Sequence, residues 1–142
     1  MASAQAVEKV GVSIQDFFNV ITQYEKYPEF LQEMTETQIV EEEGNIKIVN
    51  FNVTIIKPVT YTLKIEEVNA PYEIKWSLVE SDAFKVNNGG WNLKELSENE
   101  IEATYYIECD FKIFVPSIIL NKIVSAQLPK MLHAFKEHAE SL

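Results

Sequence analysis

The stretch VPSIILNKIVSAQLPKMLHAFKEHAESL, residues 115–142, decides the fold. Pro116 suits the first turn of a helix, whose leading N–H groups have no intrahelical partner. Beyond it Leu120, Ile123, Val124, Met131, Ala134 and Phe135 recur at spacings of three, four and seven, one face at 100° per residue. Lys122, Ser125, Lys130, His133, Lys136, Glu137 and Glu140 take the other face. At about 1.5 Å per residue the rod is roughly 35 Å long, enough to cross a sheet. Pro129 removes one backbone hydrogen bond, so a kink or break is expected there. Gln127 and His138 fall on the apolar side, where a helix that only plugs a solid core has little use for an amide.

The residues before this helix supply the sheet. From residue 36 the pattern has period two for about 75 residues. Residues 101–113 alternate most cleanly, with Ile101, Ala103, Tyr105, Ile107, Cys109, Phe111 and Ile113 on one side. In residues 59–69 the odd positions Val59, Tyr61, Leu63 and Ile65 are apolar. Ile74, Trp76 and Leu78 share a side of the next strand. Ile46 and Ile48 have one parity but Phe51, Val53 and Ile55 the other, which predicts a bulge near Val49-Asn50. Asn87-Asn88-Gly89-Gly90 reads as a turn before a strand bearing Trp91 and Leu93. Upstream, residues 4–12 form a weak first strand. Ser13-x-x-Asp16 caps a helix bearing Phe17, Phe18, Val20 and Ile21. Pro28 is expected to open a second short helix carrying Phe30, Leu31 and Met34.

Consecutive strands on short turns pair antiparallel, leaving one face to be buried, and the long helix is its cover. The expected class is α+β: a curved antiparallel sheet around a long C-terminal helix, with two short helices after the first strand. With 142 residues, a single domain spanning residues 1–142 is expected.

Composition narrows the function. The formal charge of −10, from 22 acidic and 12 basic residues, repels phosphate backbones, so no nucleic-acid partner is expected. A single cysteine, Cys109, forbids an internal disulfide. It suits a reducing compartment. With no signal-peptide pattern and no apolar run of membrane-spanning length, a cytoplasmic location is expected.

No catalytic set, metal site or cofactor is indicated. His133 and His138, five apart, point about 140° apart around the helix axis and cannot share a metal. His133 reads as a solvated surface residue and His138 as half-buried; Cys109 reads as a buried structural thiol. Gly89-Gly90 lacks the spacing of a phosphate loop. Tyr61, Tyr105 and Gln127 are polar groups on apolar faces. They either bond within the protein or line a cavity and orient a ligand.

Tyr24-Glu25-Lys26-Tyr27-Pro28-Glu29-Phe30-Leu31, then Gly89-Gly90-Trp91-Asn92-Leu93, a last strand with alternating aromatics, and a Val115-Pro116-opened helix containing Leu128-Pro129 occur in that order. The set resembles the START/polyketide-cyclase (SRPBCC) superfamily, and within it the coenzyme-Q-binding, COQ10-like branch. After Phe30 the chain departs from that branch, reading Leu31-Gln32-Glu33-Met34 where its members commonly continue to Pro-Trp-Cys. The resemblance implies a helix-grip, START/Bet v1-like fold with an apolar cavity between sheet and last helix.

The function expected is non-enzymatic binding and carriage of a hydrophobic small molecule: a lipid, a quinone or a polyketide-like compound. The expected lining is Phe51, Val53, Tyr61, Leu63, Trp76, Leu78, Tyr105, Ile107, Gln127, Met131 and Phe135. The expected gate is Tyr24, Tyr27 and Phe30, or else the loop at residues 87–90. Two rivals remain: a cyclase or dehydratase using the same pocket, and a protein-interaction module. Lys122, Lys130 and Lys136 would give either a protein partner or a transient membrane contact a basic strip. The sequence does not set the oligomeric state.

Overall fold

Period-two alternation from Met34 to Phe111 builds six consecutive strands, and a seventh from the N-terminus joins them. In the computed structural model, which describes residues 1–55 and 57–142, the order is β1 (Ala2–Val10), α1 (Ile14–Ile21), a 3₁₀ turn (Tyr24–Glu29), β2 (Met34–Glu43), β3 (Ile46–Ile55), β4 (Lys57–Asn69), β5 (Glu73–Ser81), β6 (Phe84–Ser97), β7 (Glu100–Phe111) and α2 (Ser117–Glu140). The Ile55 side chain, expected beside Phe51 and Val53, lies outside the described residues.

The strands form one antiparallel sheet in the order β1-β7-β6-β5-β4-β3-β2. Strands β2 to β7 are a meander, so only β1 needs a long connection, and α1 with the 3₁₀ turn carries the chain from one sheet edge to the other. Ser13 Oγ accepts from the Asp16 N–H at 3.1 Å, which starts α1 where the capping pattern predicts. Phe17, Phe18, Val20 and Ile21 are buried.

Three local expectations are corrected. The second short helix is a 3₁₀ turn that begins at Tyr24 and contains Pro28, instead of opening there. Its i→i+3 bonds, such as Phe30 N–H to the Tyr27 carbonyl at 3.2 Å, tolerate the proline's fixed φ, and the chain then extends into β2 at Met34.

The bulge is not in β3. That strand keeps one inward parity, with Val49, Phe51 and Val53 buried, while Ile46 and Ile48 stand half-buried on the other face. The extra residue is Val40 in β2, between Ile39 and Glu41, opposite the Val49–Ile48 step.

Residues 87–90 are the middle of β6, not a turn. Gly89 pairs with Trp76 and Gly90 with Tyr106, so each bare backbone faces an aromatic side chain of the next strand. A Cβ on Gly89 would lie 2.6 Å from Trp76 Cζ2 and closer still to the Tyr106 carbonyl oxygen. These glycines are there for close approach.

Helix α2 runs through Pro129 without a break. Pro129 and Ser125 are both exposed, so water can satisfy the carbonyl that the missing N–H leaves free. Its buried stripe is Leu120, Leu128, Leu132, Phe135 and Ala139; Ile123, Val124, Met131 and Ala134 flank it, half-buried. The C-terminal half of α2 is fastened to the β1 end of the sheet. Glu140 Oε2 accepts from Gly11 N–H at 2.7 Å, and Lys136 Nζ donates to the Lys9 carbonyl at 3.0 Å. His133 lies 3.2 Å from Glu8 and 2.9 Å from Glu137.

Gly89→Ala should destabilise the fold by about 1–3 kcal/mol in urea unfolding, the usual cost of forcing volume into a packed site; an unchanged midpoint would mean that β6 can give way. Hydrogen bonds to Glu8 and then to Glu137 raise the His133 pKa above its usual 6.5. Its folded pKa is therefore above its unfolded one, and the associated stability is present below about pH 6.5 and lost as pH rises through the folded value. His133→Gln should lower the melting temperature at about pH 6, and the difference from the wild type should shrink as pH rises through the folded value.

Candidate ligand-binding cavity

The inward residues of β3 to β7 and the flank of α2 do not meet across the whole concave face. Between them is a cavity of about 550 Å³. A smaller space of about 60 Å³ adjoins it more deeply. Met34, Tyr61, Asn87, Tyr105, Ile107 and Met131 are walls of both and form the neck between them.

The inner space is completed by Tyr24, Tyr27, Phe51, Leu63, Ile65, Ile74, Trp76, Trp91 and Phe135. The outer one is completed by Leu31, Glu33, Val53, Thr54, Phe84, Cys109 and Phe111 from the sheet side, and by Lys122, Ile123, Val124, Ala126, Gln127 and Leu128 from α2. Glu33, Thr54, Lys122, Ala126 and Gln127 are exposed, which puts the mouth between the first half of α2 and the Glu33 and Thr54 segments.

The expected lining residues all border one space or the other, except Leu78. Strand β5 pairs with β6 only as far as Trp76↔Gly89, and Leu78 lies beyond that point, half-buried opposite Leu63. Gln127 stands on the rim.

The expected gate residues sit elsewhere. Tyr24 and Tyr27 are buried in the inner wall, away from the mouth. The Tyr27 hydroxyl donates to the Ile21 carbonyl. The Tyr24 hydroxyl lies 3.4 Å from Glu67 Oε1, itself 2.5 Å from Lys47 Nζ. Phe30 borders neither space; its ring stacks on His138 at 4.0 Å. The alternative gate, residues 87–90, is mid-strand.

Sequence reasoning missed Asn87, Phe84 and the lining role of Cys109. Asn87 shares inward parity with Trp91 and Leu93, a signal hidden once residues 87–90 are read as a turn. Cys109 shares parity with Tyr105 and Ile107, but alternation does not separate a filled face from a hollow one.

The neck carries neutral polar groups. Asn87 is buried, and its Oδ1 accepts from Trp76 Nε1 at 3.3 Å. Among the described residues every fully occluded side-chain polar atom has a partner. The hydroxyls of Tyr61 and Tyr105 make none of the hydrogen bonds found there, so both are open to the cavity they line.

Burial raises the pKa of Tyr61 and Tyr105 well above 10, so at neutral pH both hydroxyls carry their protons and can donate. Burial, helped by Asp110, pushes the Cys109 thiol up to about 11. Charge in the described lining is confined to Glu33 and Lys122 at the mouth. The interior is thus apolar and uncharged, with hydrogen-bond donors at its neck, a lining of the kind that suits neutral, mostly apolar molecules.

This chain belongs to the polyketide cyclase / dehydrase and lipid transport family, whose pattern it matches over residues 10–136. No curated protein matches the sequence. Among solved structures it is similar to a START superfamily protein from Mycobacterium smegmatis, with a TM-score of 0.92 at 14% identity over 99% of both chains. The Zhui aromatase/cyclase from Streptomyces sp. R1128 superposes with a TM-score of 0.87 at 14% identity, over 97% of this chain and 93% of that one. A STAR-related lipid transfer protein from Xanthomonas axonopodis gives 0.79 at 12% identity, over 97% of this chain and 85% of the other. At these identities the likeness is one of fold, and the fold is the helix-grip expected from the sequence.

Tyr105→Phe removes one hydroxyl and almost no volume. It should leave the melting temperature nearly unmoved and weaken a carbonyl-bearing ligand by about 0.5–1.5 kcal/mol in a titration. Lost stability with unchanged binding would place the hydroxyl in an internal network instead.

Proposed function

We propose that this protein binds and carries a neutral hydrophobic small molecule, a lipid or quinone-like compound, without transforming it. The observation that supports this reading is the 550 Å³ apolar cavity whose neck offers only neutral donors. Burying about 300 Å² of apolar ligand surface at about 25 cal/mol per Å² is worth roughly 7 kcal/mol before the costs of association. Tyr61, Tyr105 and Asn87 would then fix the orientation of a carbonyl or hydroxyl.

Release requires the mouth to open. The first half of α2 is the movable wall: the polar ties described above all lie beyond Pro129, and the proline leaves that turn one hydrogen bond short. Met131, unbranched and polarizable, lines both spaces and can adapt to different shapes.

A cyclase would need a group in the pocket poised to take a proton near neutral pH. Tyr61 and Tyr105 are pushed away from that range, and the one carboxylate of the described lining, Glu33, stands at the exposed mouth rather than at the neck, which favours the carrier.

Mass spectrometry of an organic extract of the purified protein should detect a stoichiometric neutral lipid or quinone. Conversion of an aromatic polyketide by the pure protein would instead support the enzyme. Met131→Trp gives a second check. In a hollow grip it should cost less than the ~1–3 kcal/mol typical of overpacking and should sharply weaken Nile red binding. A strongly destabilised variant that still binds the dye would refute the pocket as the binding site.

A further inference from the structure

We propose that the end of the molecule around the start of α2 docks on an anionic lipid bilayer, with the cavity mouth facing the membrane. Ile113, Phe114, Ile118 and Ile119 are 67%, 89%, 71% and 51% exposed. Single exposed apolar residues are ordinary, but four large ones within seven positions are not. They sit on the β7–α2 link and the first turn of α2. Phe111, just before them, and Lys122 and Ile123, one turn after them, line the cavity, so the apolar tip adjoins the mouth.

Charge selects the occupant. The chain has 22 acidic residues, yet none falls within residues 111–136, which carry Lys112, Lys122, Lys130 and Lys136. Lys136 is held at the far end by the Lys9 carbonyl. Lys112 bonds the Ser81 carbonyl at 2.6 Å and stays exposed, and Lys122 stands on the rim with Glu33. Lys112 and Lys122 thus flank an apolar tip on an otherwise acidic body, which an anionic surface would orient and a hydrocarbon boundary would hold. A second copy is a poor fit, since two chains of net charge −10 repel each other. Of the basic strip expected along α2, Lys122 stands at this tip, where Lys112 of the preceding link joins it. This docking surface does not depend on what the cavity holds.

Flotation with phosphatidylcholine vesicles, with and without phosphatidylglycerol, tests the proposal. The protein should float with the anionic vesicles and lose about fivefold in affinity for each lysine screened out by added salt. Phe114→Glu/Ile118→Glu, at two exposed positions outside the cavity lining, should weaken flotation by more than about tenfold. Nile red binding without vesicles should be unchanged in that variant, so a failed carrier reading would show in the dye titration and not in flotation. No flotation of the wild type, or flotation that the double variant retains, overturns the proposal. A wild-type dimer in size-exclusion chromatography that the double variant converts to monomer also overturns it, by assigning the tip to a second copy.

Discussion

One helix has to cover the concave face of seven strands. At about 4.8 Å per strand the sheet would be roughly 30 Å wide if flat, whereas a helix with its side chains is about 10–12 Å across. The sheet must therefore curl, and the bulge at Val40 and the register shifts in β4–β5 and β6–β7 are sites where it bends. Even a curled sheet leaves more apolar face than α2 can reach. The remainder becomes either core filled by the sheet's own side chains or open space, and the protein has both, at opposite ends of the helix.

The filled end is aromatic. The Phe135 ring lies 5.1 Å from those of Tyr27, Phe30 and Trp91, and Phe17 packs edge-on to Trp91 at 5.5 Å. Such edge contacts add to the area buried and fix the helix in one register. The same half of α2 carries the ties to Gly11, Lys9 and Glu8. The other half is seated through Leu120 and Leu128, with Ile123 and Val124 half-buried toward the cavity. A single proline separates the fastened half from the one that walls the mouth.

The sheet and its helix were legible in the sequence because alternation in β4, β5 and β7 reports burial directly. What failed did so for identifiable reasons. Gly89-Gly90 looks like a turn because glycine usually signals chain reversal. Here the glycines accommodate Trp76 and Tyr106 from neighbouring strands, a pairing between strands that local pattern does not encode. The β3 parity change reads as a bulge only if Ile46 and Ile48 face inward; they are half-buried on the other side. Tyr24 and Tyr27 read as a gate because short connections over a rigid cavity are where openings occur, but the chain turns inward there and their hydroxyls are bonded. Gln127 falls on the apolar side of the helix by spacing, and the structure sets it on the exposed rim.

Polarity therefore changes in order along the cavity, and that order constrains the occupant. The inner space is walled by rings and aliphatic groups, the neck by two tyrosine hydroxyls and an amide, and the mouth by one carboxylate and one ammonium. For a hydroxyl with no partner among the described residues, a purely hydrocarbon ligand would shut out water and leave the hydroxyl unpaired. A molecule with an oxygen part-way along an apolar body loses nothing at the neck and gains along both walls. A charged headgroup fares worse at the neck than at the mouth, where solvent and opposite charge are both within reach. For the carrier role proposed above, the arrangement would favour ligands that enter apolar end first and keep whatever charge they have at the rim.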